Sequence, residues 1–227
     1  MNKYIISAVV SGGLFLLLIL LVSFVDVQTV PATGMEMGLS HINFAFSNLI
    51  GVNPLLYKLT TVLGIFLILV VVWFGLKGLV QLIHRKSLLK VDREILTLGG
   101  LYVVLALVYV FFEKVIINYR PIIMEGETEA EASFPSSHTM LVCVVMGSAI
   151  MLLGRYIKDE KTRRVLKIVF YLVIAVTVLG RLFSGVHWLT DILGGVLISI
   201  CLLSIFAILL PKREDQSVRY QFSGNLK

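Results

Sequence analysis

Six long apolar runs constrain this chain more than any other feature. A segment crossing a bilayer needs about 20 apolar residues as a helix to span about 30 Å of hydrocarbon. The runs fall near residues 4–25, 55–80, 95–117, 136–154, 166–184 and 190–210. Soluble domains are about 45–50% apolar and about 25% charged. At 58% hydrophobic and 15% charged, with a mean hydropathy of +0.94, this chain is excluded from the soluble class. The sequence therefore predicts an all-α polytopic membrane protein with six transmembrane helices, forming one membrane-embedded domain over residues 1–227. The first run follows Lys3 as a signal peptide would, but it exceeds a usual h-region of about 7–15 residues and lacks a clean small-x-small cleavage site, so it reads as a retained span. Cys143 and Cys201 lie in apolar stretches without Cys-x-x-Cys spacing and read as packing residues.

Charge placement sets the expected sidedness. Lys3, the group Arg85, Lys86, Lys90 and Arg93, the cluster from Arg155 to Lys167, and the tail residues Lys212, Arg213, Arg219 and Lys227 share one side. The positive-inside rule makes that side cytoplasmic, with both termini there. The net charge of +6 is thereby a topology signal, and no nucleic-acid partner is needed to explain it. Lys58 and Lys77 can snorkel from the second span. Lys114, Arg120 and Arg181 remain, all at outer span ends where topology disfavours positive charge.

Other segments carry less. Residues 37–50 read as an interfacial or re-entrant helix, Glu125, Glu127, Glu129 and Glu131 read as a solvated loop, with a cation site or an acidic lid as the alternative, and the tail 212–227 reads as polar and flexible.

The three unexplained cations sit in segments that also hold two of the four histidines: Lys114 to Pro121, Pro135-Ser136-Ser137-His138, and Arg181 to Asp191. Ionisable groups at the hydrocarbon edge are costly unless they serve a site. These types suit phosphate. Arg120 and Arg181 supply planar forks and Lys114 a point charge, while Ser136 and Ser137 open the fourth span, where amide groups and the helix dipole favour an anion. His187 and Asp191 are four apart, so a helix would place them on one face. Asp191 then orients the ring of His187, the candidate nucleophile, and His138 is free to protonate the leaving oxygen and later activate water. No further cluster has metal-ligand spacing, so metal independence and no cofactor are expected.

At these residues the chain resembles the phosphatidic acid phosphatase type 2 superfamily, whose pattern is KxxxxxxRP, PSGH and SRxxxxxHxxxD. Arg120-Pro121, then Pro135, Ser136 and His138, then Arg181, His187 and Asp191 carry the resemblance. It departs at three places. Lys114 is one residue too close to Arg120, so Glu113 occupies the expected lysine position; Ser137 stands for Gly; Gly180 stands for Ser. The resemblance implies a helical core like that of acid phosphatases and vanadium haloperoxidases. It also implies hydrolysis of a lipid phosphate such as undecaprenyl pyrophosphate, phosphatidylglycerophosphate or phosphatidic acid, at the outer face of the plasma membrane. A lipid phosphotransferase with the same intermediate, a phospholipid carrier or scramblase, and a vanadate-dependent peroxidase are the alternatives. The membrane lipid and the bilayer are the expected partners, and no oligomeric state is specified by these motifs.

Overall fold

The computed structural model describes residues 3–124 and 126–211. The tail 212–227, with its four basic residues, and Glu125 lie outside the described residues. Six helices are long and apolar enough to cross a membrane: α1 (Lys3–Phe24), α3 (Pro54–Arg85), α4 (Arg93–Lys114), α5 (Ser137–Tyr156), α6 (Glu160–Phe183) and α7 (Leu189–Leu209). Between the first two, a two-residue antiparallel strand pair, β1 (Gln28–Thr29) with β2 (Glu36–Met37), leads into a short helix α2 (Ser40–Ile50). Each of the six overlaps one of the apolar runs, with α3 extending past its run and α6 starting before its own. The fold is the all-α, six-span membrane architecture expected from the sequence.

Local chemistry sets the boundaries. Pro54 at the first turn and the Asn53 side chain, which accepts the Leu56 N–H at 3.2 Å, start α3. Asp159 accepts the Thr162 N–H at 2.7 Å and starts α6 six residues before the apolar run. Its first turns are polar, which is why hydropathy alone misses them. With 32 residues, α3 is roughly 48 Å long, longer than the hydrocarbon it crosses.

Helix α5 is the centre of the bundle, with α3, α4, α6 and α7 packed around it. Over half of its span is buried, whereas every other span keeps most of its apolar side chains on the outside, the pattern of helices whose solvent is lipid. Phe74, Leu98, Val144, Val145, Leu152 and Phe206 form the core around it. The first and last helices pack along their lengths. Ser204 donates to Ser7 at 2.8 Å there, and a Cβ at Gly12 would stand 3.2 Å from Cys201 Sγ.

Chain connectivity sorts the ends of the helices. The α3–α4 and α5–α6 links carry the basic clusters, while the α4–α5 and α6–α7 links emerge at the opposite end and carry the motif residues. Helix α2 docks at that second end. Its Asn43, fully buried, donates to Thr190 Oγ1 at 3.1 Å and accepts the Thr190 N–H at 3.3 Å. It lies on the opening of α7 as well as along the surface.

Candidate active site

The α4–α5 link folds back on itself. Arg120 N–H donates to Glu131 O at 3.0 Å and Ser133 N–H to Asn118 O at 2.9 Å, flanking an isolated antiparallel bridge between Tyr119 and Ala132. This places the largely buried Arg120 guanidinium beside the start of α5. Ser136 precedes that helix, and its N–H donates to Asp191 O at 3.0 Å, tying the α5 entrance to the first turn of α7. The approach depends on two glycines of α7. A Cβ at Gly194 would stand 2.6 Å from Phe134 Cε2, and one at Gly195 would stand 3.0 Å from Ser136 O.

These contacts enclose a cavity of about 490 Å³ lined by Arg120, Ser137, His138 and His187, with Tyr109, Glu113, Glu129 and Glu131 also in its wall. His138 lines a second cavity of about 450 Å³ between α3, α5 and α6, whose other walls include Ile65, Leu67, Val71, Leu141 and Val145. His138 thus stands where a polar chamber meets an apolar one.

His187 is 4% exposed. It does not share a helix with Asp191 as its spacing suggested, because α7 begins only at Leu189. The reason is a capping contact: Asp191 Oδ2 accepts the Trp188 N–H at 2.9 Å and fixes the helix start after Trp188. The two side chains still meet, with His187 Nδ1 3.5 Å from the same oxygen. That is an electrostatic approach without aligned hydrogen-bond geometry, since neither ring nitrogen has a hydrogen-bond partner among the described residues. Burial holds the His187 pKa below the ordinary imidazole value; Asp191 pulls upward, and the charges of Arg120 and Arg181 push down. The ring is therefore neutral at ordinary pH, with Nδ1 toward Asp191 and Nε2 available.

Arg181 is fully buried near the end of α6. Its Nη2 donates to Thr61 Oγ1 at 2.9 Å, and its Cζ lies 4.5 Å from the centre of the Tyr57 ring. Nη1 of Arg120, Nε and Nη1 of Arg181, and Ser136 Oγ lack hydrogen-bond partners among the described residues, whereas Arg120 Nε faces the Glu131 carboxylate at 3.0 Å. Buried donors are normally satisfied, so this group of unsatisfied donors suits an anion rather than a packed core.

Ser136, Arg181 and Asp191 are buried and are not among the residues lining this cavity, and Lys114 stands apart altogether. It is exposed at the last turn of α4 and does not line the cavity, whereas its neighbour Glu113 does. One position turns a helical side chain by about 100°, which is the spacing departure made visible. The acidic loop is not simply solvated either: Glu131 Oε2 lies 3.0 Å from Arg120 Nε. Three contributors were absent from the motif reading: Tyr57, Thr61, and Trp188, whose indole N–H donates to Tyr119 O at 2.7 Å and joins the third segment to the first. Trp188 was at least adjacent to a motif histidine; nothing in the sequence marked the α3 pair. Among the described residues no group of three or more His, Cys, Asp or Glu is placed to hold a metal ion.

The model of the PAP2 superfamily matches residues 100–215. A crystal structure of a transmembrane PAP2-type phosphatidylglycerolphosphate phosphatase from Bacillus subtilis superposes with a TM-score of 0.61 at 18% identity, covering 97% of this chain and 98% of that one. No curated protein matches the chain.

Proposed function

The chain belongs to the PAP2 superfamily, and from that premise we propose that it is a membrane lipid phosphatase that hydrolyses a lipid phosphate or pyrophosphate through a phosphohistidine at His187, without a metal. The observation that carries this reading is the pair of histidines lining one cavity with Arg120, one of them buried and backed by a carboxylate.

The phosphate occupies the polar chamber, where Arg120, Ser137 and the opening turn of α5 offer donors to its oxygens, with the buried Arg181 and Ser136 reaching it from outside the lining. Lys114, facing away, is not assigned to this cradle. Nε2 of neutral His187 attacks phosphorus as the bond to the leaving oxygen breaks. His138 gives that oxygen a proton, so the leaving lipid departs as an alcohol or a protonated phosphate. Water then attacks the phosphohistidine, giving its proton to His138, and inorganic phosphate leaves. The position of His138 between the two chambers supports its role: the bridging oxygen of a lipid phosphate lies between a charged head and an apolar chain, and the second cavity suits that chain. Charge spreads over the equatorial oxygens in the transition state, and fixed guanidinium donors stabilise it without reorganisation.

Undecaprenyl pyrophosphate, phosphatidylglycerophosphate and phosphatidic acid are the candidate substrates; the Bacillus subtilis protein named above acts on phosphatidylglycerolphosphate. The site lies at the bundle end opposite the basic links, which supports an outward-facing site with both termini cytoplasmic. The test is phosphate release from these three lipids by detergent-purified protein in EDTA, wild type beside His187→Ala. Release by wild type alone is expected; release by the variant, or a need for added divalent metal, refutes the mechanism. For orientation, a membrane-impermeant reagent should label Cys introduced at Glu129 from outside the cell only.

A further inference from the structure

Arg181 is held from a helix that precedes all three motifs. A fully buried guanidinium cannot rely on water to fix its direction, so its protein partners decide where its free N–H groups point. Those partners belong to α3. Thr61 Oγ1 accepts from Arg181 Nη2 at 2.9 Å while its own hydrogen is directed to Tyr57 O, also at 2.9 Å, so the hydroxyl presents a lone pair to the guanidinium. The Tyr57 ring covers the guanidinium from 4.5 Å. Nη2 is thereby engaged, and Nε and Nη1 have no hydrogen-bond partner among the described residues.

The two helices can meet here because residue 180 is glycine. A Cβ at Gly180 would stand 2.4 Å from Thr60 Cγ2. Thr60 cannot swing aside cheaply, because its side chain is β-branched and its hydroxyl donates to the carbonyls of Leu56 and Tyr57, both at 2.9 Å. The ends of the two helices are pinned as well, with Asn53 N–H donating to Ser184 O at 2.9 Å. Gly180, which departs from the serine of the family pattern, is thus the residue that lets α3 reach Arg181.

We propose that Thr61 and Tyr57 of α3 are positioning residues that orient Arg181 toward the phosphate, and that Gly180 and Thr60 form the close helix contact on which this depends. The proposal rests on the reading of Arg181 as a phosphate ligand, and the experiment separates the two. Orthovanadate, which mimics the phosphoryl group in flight, is titrated into detergent-purified full-length protein and its dissociation constant measured.

Thr61→Val, which keeps the shape and removes the acceptor, should weaken vanadate binding about tenfold, the scale of one hydrogen bond to a charged group. Its ligand-free melting temperature should fall modestly, because the buried Nη2 loses its acceptor, and Thr61→Ser should restore both stability and affinity, the latter to within about twofold. Tyr57→Leu, which removes the ring lying over the guanidinium, should weaken binding. Gly180→Ser should weaken binding, and adding Thr60→Ala should recover part of the loss; this pair keeps the test open if Thr61→Val does not fold. Unchanged affinity in Thr61→Val, or no recovery in the Gly180/Thr60 pair, overturns the positioning role while a weakened Arg181→Ala leaves Arg181 itself as a ligand. Undiminished binding by Arg181→Ala, or none by wild type, overturns both.

Discussion

Replacing Asp191 by Asn separates two jobs that one oxygen performs. Asp191 Oδ2 accepts the Trp188 N–H that starts α7 and also faces His187 Nδ1. Asn keeps an acceptor for the first job and removes the charge that serves the second. As His187 attacks phosphorus its ring becomes cationic. At 3.5 Å and an effective dielectric of about 20, the attraction to Asp191 is about 5 kcal/mol. Three or so decades in kcat should therefore be lost in Asp191→Asn, at about 1.4 kcal/mol per decade. Asp191→Ala also removes the cap, which costs about 1 kcal/mol of stability, so its melting temperature should fall below that of Asp191→Asn while its kcat is similar. The assay is single-turnover phosphate release in detergent, run beside thermal melts of both variants. A kcat for Asp191→Asn within tenfold of wild type would refute the electrostatic role. Equal melting temperatures for the two variants would refute the capping role.

Other expectations follow from the same geometry. Glu131→Gln frees Arg120 from a half-exposed carboxylate 3.0 Å away. Exposed pairs contribute about 0.2–1 kcal/mol, so KM should fall by up to about fivefold, and a raised KM would show Glu131 helping substrate instead. Gly194→Ala forces a Cβ to 2.6 Å from Phe134; overpacking of this kind costs about 1–3 kcal/mol, and the melting temperature and kcat should both drop. Because burial lowers the His187 pKa, the acid limb of kcat/KM should lie below about 6.5, the ordinary imidazole value. The linked stability has a matching sign: it is present above about 6.5 and lost as pH falls through the folded pKa, where the buried ring must take a proton. A limb at or above 6.5 contradicts the burial argument.

Much of this was legible in the linear sequence, for reasons that differ by element. The spans were legible because hydrocarbon thickness fixes helix length, and the meeting of Arg120, His138 and His187 at one cavity was legible because ionisable groups at span ends are costly unless they are grouped. The His187–Asp191 pairing was found through a spacing rule, although the actual cause is a cap that starts α7 two residues after the histidine. Lys114 is the instructive case: composition favoured a third cation, whereas helical rotation turned Glu113 to the cavity instead. The support that α3 gives Arg181 was illegible because Thr61 and Arg181 are 120 residues apart. Threonine and tyrosine in an apolar run look like ordinary span residues until the partner helix is in place. The start of α6 was missed for the opposite reason, since its polar opening turns carry no hydropathy signal.

The pairing of α1 with α7 makes the protein's assembly a matter of timing. In chain order the first span to be made is also the one whose main neighbour is made last, and the Ser204–Ser7 hydrogen bond joins residues 197 apart. Until α7 is inserted, α1 faces lipid where its partner will be, and His187 and Asp191 have not been joined to the α5 entrance. The enzyme therefore cannot acquire activity piecemeal as its helices enter the bilayer. The insertion step that completes the bundle is the same one that completes the site, so a chain stalled before α7 is inert.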